Sequence, residues 1–276
     1  MHDLFAPAAP AARNTRVHVG IGGWTYAPWR GGVFYPEGLV QRRELEYASR
    51  QLTAIEINGT YYGAQKPATY AKWRDETPPG FVFTAKAPKR IMASRRLAGT
   101  GAQIEDFVGG ICELGDRLGA LSWQFERGRA PTPTELEAFL ALLPARAGGR
   151  PLRHALELRE AALFSPQVLA LMRQRNVALV FAGSDEHPSF ADLTADFVYA
   201  RLMQARAGLP LGYPEAELDA WARRAGEWAA GGDPAELPHV EPARPAQAPR
   251  EVFVFFIASA KERNPAAARA LIERLA

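Results

Sequence analysis

Two short apolar runs carry charge where an extended chain would bury it. Alternation along Ala54-Ile55-Glu56-Ile57-Asn58 puts Glu56 and Asn58 on the face opposite Ile55 and Ile57, and in the next such run Glu157 and Arg159 stand opposite Leu156 and Leu158. Charges in stretches this apolar are expensive to bury unless they are paired. Lys86, Gln124 and Arg201 each sit at or near the end of a further run and are natural partners. Two chemistries fit the set. One is an ion-pair network that plugs the interior of the fold. The other is a preorganised pocket: Glu56 as candidate general acid/base, Glu157 as its partner or as a ligand for substrate hydroxyls, and Lys86, Arg159 and Arg201 holding an anionic or polyhydroxylated molecule.

Aromatic residues crowd the segment that follows the first run. Trp24, Tyr26, Trp29, Phe34 and Tyr35 would roof such a pocket, with Tyr61 and Tyr62 extending the surface, either stacking on a ligand or packing on one another. Trp24, Asn58, Tyr61 and Gln124 complete the candidate substrate-binding set. After Lys86 come Lys89, Arg90, Arg95 and Arg96, a basic loop suited to a phosphate or a nucleic-acid backbone, or simply a solvated loop.

Other chemistries find little support. The five histidines are dispersed; Asp185, Glu186 and His187 together could join Glu56 and Glu157 around a divalent ion, but no ligand pair has metal-site spacing, so no metal and no cofactor are assigned. Gly20-Ile21-Gly22-Gly23 matches neither the dinucleotide nor the P-loop spacing. No nucleophile elbow is present, and Glu56 and Glu157 come from runs nearly opposite each other, which does not favour a glycosidase pair.

The elements that must position these residues recur with a regular beat. β-Branched and aromatic runs at Val17–Gly22, Leu52–Asn58, Phe81–Lys86, Ala120–Phe125, His154–Arg159, Val177–Phe181, Phe197–Arg201 and Val252–Ile257 read as strands. Helical spacing of apolar residues recurs at Arg42–Gln51, Ala68–Glu76, Ile104–Leu118, Thr134–Leu143, Pro166–Arg175, Glu215–Ala230 and Pro265–Leu275. Strand-helix alternation of this kind predicts an α/β fold, a (β/α)8 TIM barrel, with polar strand ends facing the ligand mouth. Ser165 and Asn264, each directly before a proline, read as helix caps. No helix is expected between the sixth and seventh strands, and the connection there should be irregular.

At 276 residues and 47% apolar content, one barrel accounts for 17–276, with 1–16 as a frayed Ala/Pro-rich tail and a poorly ordered Pro-rich insertion near 231–250 at the base. A net charge of +3 gives nucleic-acid binding no support. The lone Cys112 excludes an intramolecular disulfide, and no run approaches a membrane span, so a cytoplasmic, non-membrane protein is the default; oligomeric state stays open.

The motifs Ile21-Gly22-Gly23-Trp24-Thr25-Tyr26, Trp29-Arg30-Gly31, Phe34-Tyr35-Pro36, Glu56-Ile57-Asn58-Gly59-Thr60-Tyr61-Tyr62, Trp73-Arg74-Asp75-Glu76-Thr77-Pro78 and Phe83-Thr84-Ala85-Lys86-Ala87-Pro88 resemble the DUF72, or YecE-like, family. The resemblance runs from about Val17 to the C-terminus. It implies a TIM barrel and supplies no reaction; a link to sugar isomerases rests on fold likeness alone. Where the family tends to read Arg-His-Pro-Ser-Trp after its fifth strand, this chain has Arg159-Glu160-Ala161-Ala162-Leu163. A His-Gly after the seventh strand's arginine is replaced by Met203-Gln204, and an Asn-Asn-Asp after the eighth by Ile257-Ala258-Ser259.

Three functional readings follow. The first is a site for a small polar or anionic, sugar-like molecule at the barrel mouth. The second is a non-catalytic, degenerate barrel that binds a metabolite or protein, favoured by the lost polar groups. The third, nucleic-acid binding through Lys86 to Arg96, predicts affinity that falls steeply with salt.

Overall fold

The apolar runs pair side by side in sequence order. The computed structural model describes residues 16–276, so the tail expected over 1–16 lies, except for Arg16, outside the described residues. Eight parallel strands close into a barrel: β1 (Val17–Gly22), β2 (Ala54–Ile57), β3 (Val82–Lys86), β4 (Leu118–Gln124), β5 (His154–Glu157), β6 (Val177–Gly183), β7 (Phe197–Leu202) and β8 (Glu251–Phe256), with β8 pairing back onto β1. Outside lie α1 (Glu44–Gln51), α2 (Pro67–Glu76), the single turn α3 (Lys89–Met92), α4 (Gly101–Ile111), α5 (Pro133–Leu142), α6 (Pro166–Gln174), α7 (Glu215–Ala229) and α8 (Asn264–Arg274). This is the TIM barrel, in which side chains from alternate strand positions fill the interior in layers.

Local chemistry sets several boundaries. The Ser165 hydroxyl accepts from the Val168 N–H at 3.3 Å and caps α6, and Thr132 forms a reciprocal capping box with Glu135 at the start of α5. Asn264 is not a cap: its backbone is already helical, and its side chain donates to the Ala258 carbonyl at 3.3 Å. The helix expected over 104–118 stops at Ile111 and continues as 3-10 turns to Arg117, with Gly115 at φ 57, which frees Leu118 to begin β4. A two-residue antiparallel hairpin, Arg146–Ala147 with Arg150–Pro151, precedes β5 and had no alternating pattern to announce it.

Residues 184–196, between β6 and β7, hold no α-helix. The Pro-rich stretch 231–250 lies against them and is not the loose insertion its composition suggests. Asp192 accepts from the Val240 and Glu241 N–H groups at 2.8 and 3.0 Å, the Ala191 N–H donates to Pro238 at 2.8 Å, and Asp233 accepts from Arg244 at 2.8 Å. Prolines remove donors, and buried carboxylates gather those that remain; buried Leu237 joins the core there.

Inside the barrel the layers run from apolar to polar. Phe197, Phe253 and His18 fill the base, with His18 stacked on Phe253 at 5.1 Å and alanines at 54, 120, 155 and 178 making room. Glu56 lies opposite Thr84 in the strand pairing and Gln124 opposite Glu157, while Tyr199 and Arg201 share the inner face of β7. No helix among the described residues is long and apolar enough to cross a membrane.

Candidate functional site

Five of the sequence-derived candidates meet in the upper half of the barrel around one guanidinium. Arg201 Nη2 donates to Glu56 Oε1 at 3.0 Å; its Nη1 donates to Glu157 Oε2 and, at 3.4 Å, to Gln124 Oε1. The Tyr199 hydroxyl donates to Glu56 Oε2 at 2.6 Å and lies 2.8 Å from the Thr84 hydroxyl. Arg159 Nε donates to Glu157 Oε1 at 2.7 Å. Both oxygens of each carboxylate are therefore occupied, and neither residue has exposed surface. Burial pushes the Glu157 carboxyl up, but Arg201 and Arg159 outweigh it and hold it at about 2. Burial also opposes the charge on Arg201, and the two carboxylates more than restore it. Burial and then Glu56 drive Tyr199 well above the usual phenol range.

A general acid/base acts within about 3 Å of its substrate; here Glu56 and Glu157 do not border the cavity described below, and each of their oxygens accepts from a protein donor. The pair fixes Arg201 in place through its two terminal nitrogens, while the buried Nε has no hydrogen-bond partner.

Above this layer the wiring changes. Glu126, just beyond β4, accepts from Gln124 at 2.6 Å, from Arg159 Nη1 at 3.1 Å and from the Tyr61 hydroxyl. The Tyr61 ring in turn lies under Lys86, whose Nζ is 4.0 Å from the ring centroid. Among the described residues that Nζ has no carboxylate in ion-pair range and no hydrogen bond. Burial, and then Arg201, lower the amine to about 8, against the opposing pull of Glu56 and Glu157.

Lys86 opens onto a cavity of about 290 Å³ at the C-terminal end of the barrel, shared with Asn58, Tyr61, Lys261 and Asn264. Gly22 makes this possible: a Cβ there would lie 2.6 Å from Asn58 Nδ2. Asn264 is buried with its Oδ1 unpartnered. The Lys261 ammonium lies 4.5 Å from the Tyr26 ring and 5.4 Å from Trp29, and burial lowers its pKa. The loop after β8 that shapes this wall holds Ala258 and Ser259 at φ 58 and 46, a left-handed conformation costly for residues with a Cβ.

Asn58, Tyr61 and Lys86 thus line the cavity, while Gln124, Arg159, Arg201, Glu56 and Glu157 lie beneath it. Trp24 does not line this cavity. Alternation from β1 would aim it inward, but Gly23 at φ 70 breaks the period, and Trp24 packs edge-on against Trp73 of α2 at 4.9 Å. The aromatic loop mostly packs on itself and the core: Trp29, Phe34 and Tyr35 are buried, and the Tyr35 hydroxyl donates to the Trp24 carbonyl at 2.5 Å. Its contribution to the mouth is the ring pair that holds Lys261. The basic loop divides, with Lys89 facing Tyr61 at 6.0 Å and Arg90 turning to Asp106 at 3.5 Å. Among the described residues no three His, Cys, Asp or Glu side chains gather as metal ligands; Asp185 is bonded by Gln204 instead.

Sequence reasoning missed Tyr199, Glu126, Lys261 and Asn264. The first two were within reach, because Tyr199 precedes Arg201, and Glu126 follows Gln124, by two residues on one face. The others arrive from the far end of the chain through barrel closure.

Comparison with known proteins agrees with this architecture. The family model described as "Protein of unknown function DUF72" matches residues 18–276. UPF0759 protein YecE of Escherichia coli K12 is 25% identical over 150 residues, 54% of this chain and 50% of that protein, so the chain spans about half the length of the curated relatives it matches. The crystal structure of a DUF72 family protein from Enterococcus faecalis V583 superposes with a TM-score of 0.69 at 16% identity, covering 94% of this chain and 95% of that one. An L-ribulose 3-epimerase structure superposes with a TM-score of 0.51 at 14% identity, covering 93% of each chain, a likeness of fold.

Proposed function

The chain belongs to the DUF72 family, and from that premise we propose that its barrel mouth binds a small anionic, hydroxyl-bearing molecule. The observation that carries this reading is the inequality of charge at the mouth. The two buried carboxylates are engaged by Arg201, while Lys86 and Lys261 face the cavity with aromatic rings as neighbours and, among the described residues, no carboxylate paired to either. An anion entering there meets two cations held in place, and partly buried charges attract more strongly than solvated ones. The side chain of Asn58, which lines the cavity, offers a donor and an acceptor for hydroxyl groups. Tyr62, 90% exposed and edge-on to Tyr61 at 5.4 Å, offers a ring face at the rim. The fold shared with a sugar epimerase is in keeping with a sugar-like ligand and adds nothing on mechanism.

A thermal-shift series tests the reading, because a ligand that binds only the folded chain raises the melting temperature by mass action. Inorganic phosphate, a hexose phosphate and a small hydroxy acid are the probes, against wild type and Lys86→Met. At least one should raise the wild-type midpoint by about 2–4 °C per kcal/mol of binding free energy, and the rise should be lost in Lys86→Met. Equal rises in both proteins, or none in wild type, would remove the proposal.

A further inference from the structure

The chain contains five lysines and 28 arginines. Arginine is its default cation: it makes nearly all the ion pairs, including those inside the barrel. Lysine nevertheless stands at three positions of the mouth, Lys86, Lys89 and Lys261. If attraction of an anion were the whole task, a guanidinium with its five donors would serve as well or better. A primary amine alone can add to a carbonyl and remain attached.

We propose that Lys86 is a nucleophile, whose Nζ forms an imine with the carbonyl carbon of a small anionic aldehyde or ketone bound in the cavity. The inference rests on the binding reading above and names its substrate class. Three features of the site support it. The Nζ borders the cavity, is held by the Tyr61 ring at 4.0 Å, and is not tied to a carboxylate or hydrogen-bond acceptor. Burial favours the neutral form of the amine, and Arg201 and then Arg159 beneath it add to that effect against the opposing pull of Glu56 and Glu157. A proton donor lies close by as well: Tyr61 lines the same cavity, and its hydroxyl, protonated at neutral pH like any phenol and pushed further up chiefly by burial, is bonded to Glu126.

The step balances without an added reactant. The nitrogen lone pair adds to the carbonyl carbon, the C–O π bond opens, and the oxygen takes up a proton. One amine proton is lost as the carbinolamine forms; the second is lost as the oxygen departs in water and the C=N bond closes. Carbonyl compound plus amine gives imine plus water, with no change of oxidation state. Lys261, across the cavity, remains to hold the anionic group.

Reductive trapping tests the idea on the full chain. Glyoxylate, a small anionic aldehyde, is supplied in limiting amount with cyanoborohydride at pH 7.5, and modified lysines are located by peptide mass analysis. Lys86 should be labelled at least tenfold faster than the exposed Lys66 and Lys72, with a rate that rises to a midpoint near pH 8. Labelling of Lys86 no faster than Lys66 and Lys72 would overturn the inference. If phosphate still raised the wild-type melting temperature in that case, the binding reading would stand and only the imine would fall.

Discussion

Two polar layers lie one above the other in this barrel, and they are built on opposite principles. In the lower one, Glu56, Glu157, Tyr199 and Thr84 are fully buried and bonded to protein partners, and Arg201, itself buried, is held through its two terminal nitrogens with its Nε left over. In the upper one, Lys86 among the described residues meets a ring face and no carboxylate, and Ala258 and Ser259 hold left-handed backbone. A layer that turns nearly all its hydrogen bonds inward can stabilise and orient, but offers little to a ligand. The upper layer is costly to maintain, and strained or under-satisfied groups of this kind gather where function requires them. A cavity of about 490 Å³ at the base of the barrel teaches the same lesson by contrast: Leu52, Phe81 and Leu118 are among the residues that line it, and Arg153 and Glu251 there pair at 3.1 Å. Volume alone does not make a site.

The comparison breaks most visibly at Arg201. Arg201→Met would leave Glu56 buried without a counter-charge and Glu157 with Arg159 alone, and should cost about 3–5 kcal/mol or prevent folding, measured by urea denaturation. A loss under about 1 kcal/mol would mean that the lower layer is not structural. The smallest effect is expected at the strained loop: Ala258→Gly, where φ is 58, should raise stability by about 0.5–1 kcal/mol in the same assay, since glycine carries no Cβ penalty there.

Much of this was legible in the chain itself. The strand-helix rhythm placed all eight strands, because β-branched runs bounded by turns depend on local sequence; alternation put Glu56 and Glu157, with Asn58 and Arg159, on the polar faces of their strands, and Arg201 was picked out by its place at a strand end. The division of labour among them was not legible. Whether Glu56 is a reactive group or a spent one depends on which side chains meet it from β3 and β7, and Tyr199 lies 143 residues away in the chain. Trp24 escaped for a different reason: a glycine permits a positive φ without requiring it, so the swing at Gly23 cannot be read from the residue type. The Pro-rich stretch 231–250 looked loose because composition records missing donors and not the carboxylates, Asp192 and Asp233, that collect the remaining ones.

The central claim is that Lys86 serves the mouth and not the fold, and urea denaturation of Lys86→Met against wild type tests it most directly. Lys86 holds its proton to about pH 8 in the folded chain, against 10.5 for the free side chain, so the unfolded state binds more protons between those values. Wild-type stability should therefore gain a contribution as pH rises from about 8 to about 10.5, and this contribution should be missing from Lys86→Met. At pH 7, where the buried charge is fully expressed, Lys86→Met should be at least as stable as wild type. A loss of more than about 1 kcal/mol at pH 7, or the same rise with pH in both proteins, would make Lys86 another member of the structural network and contradict the account.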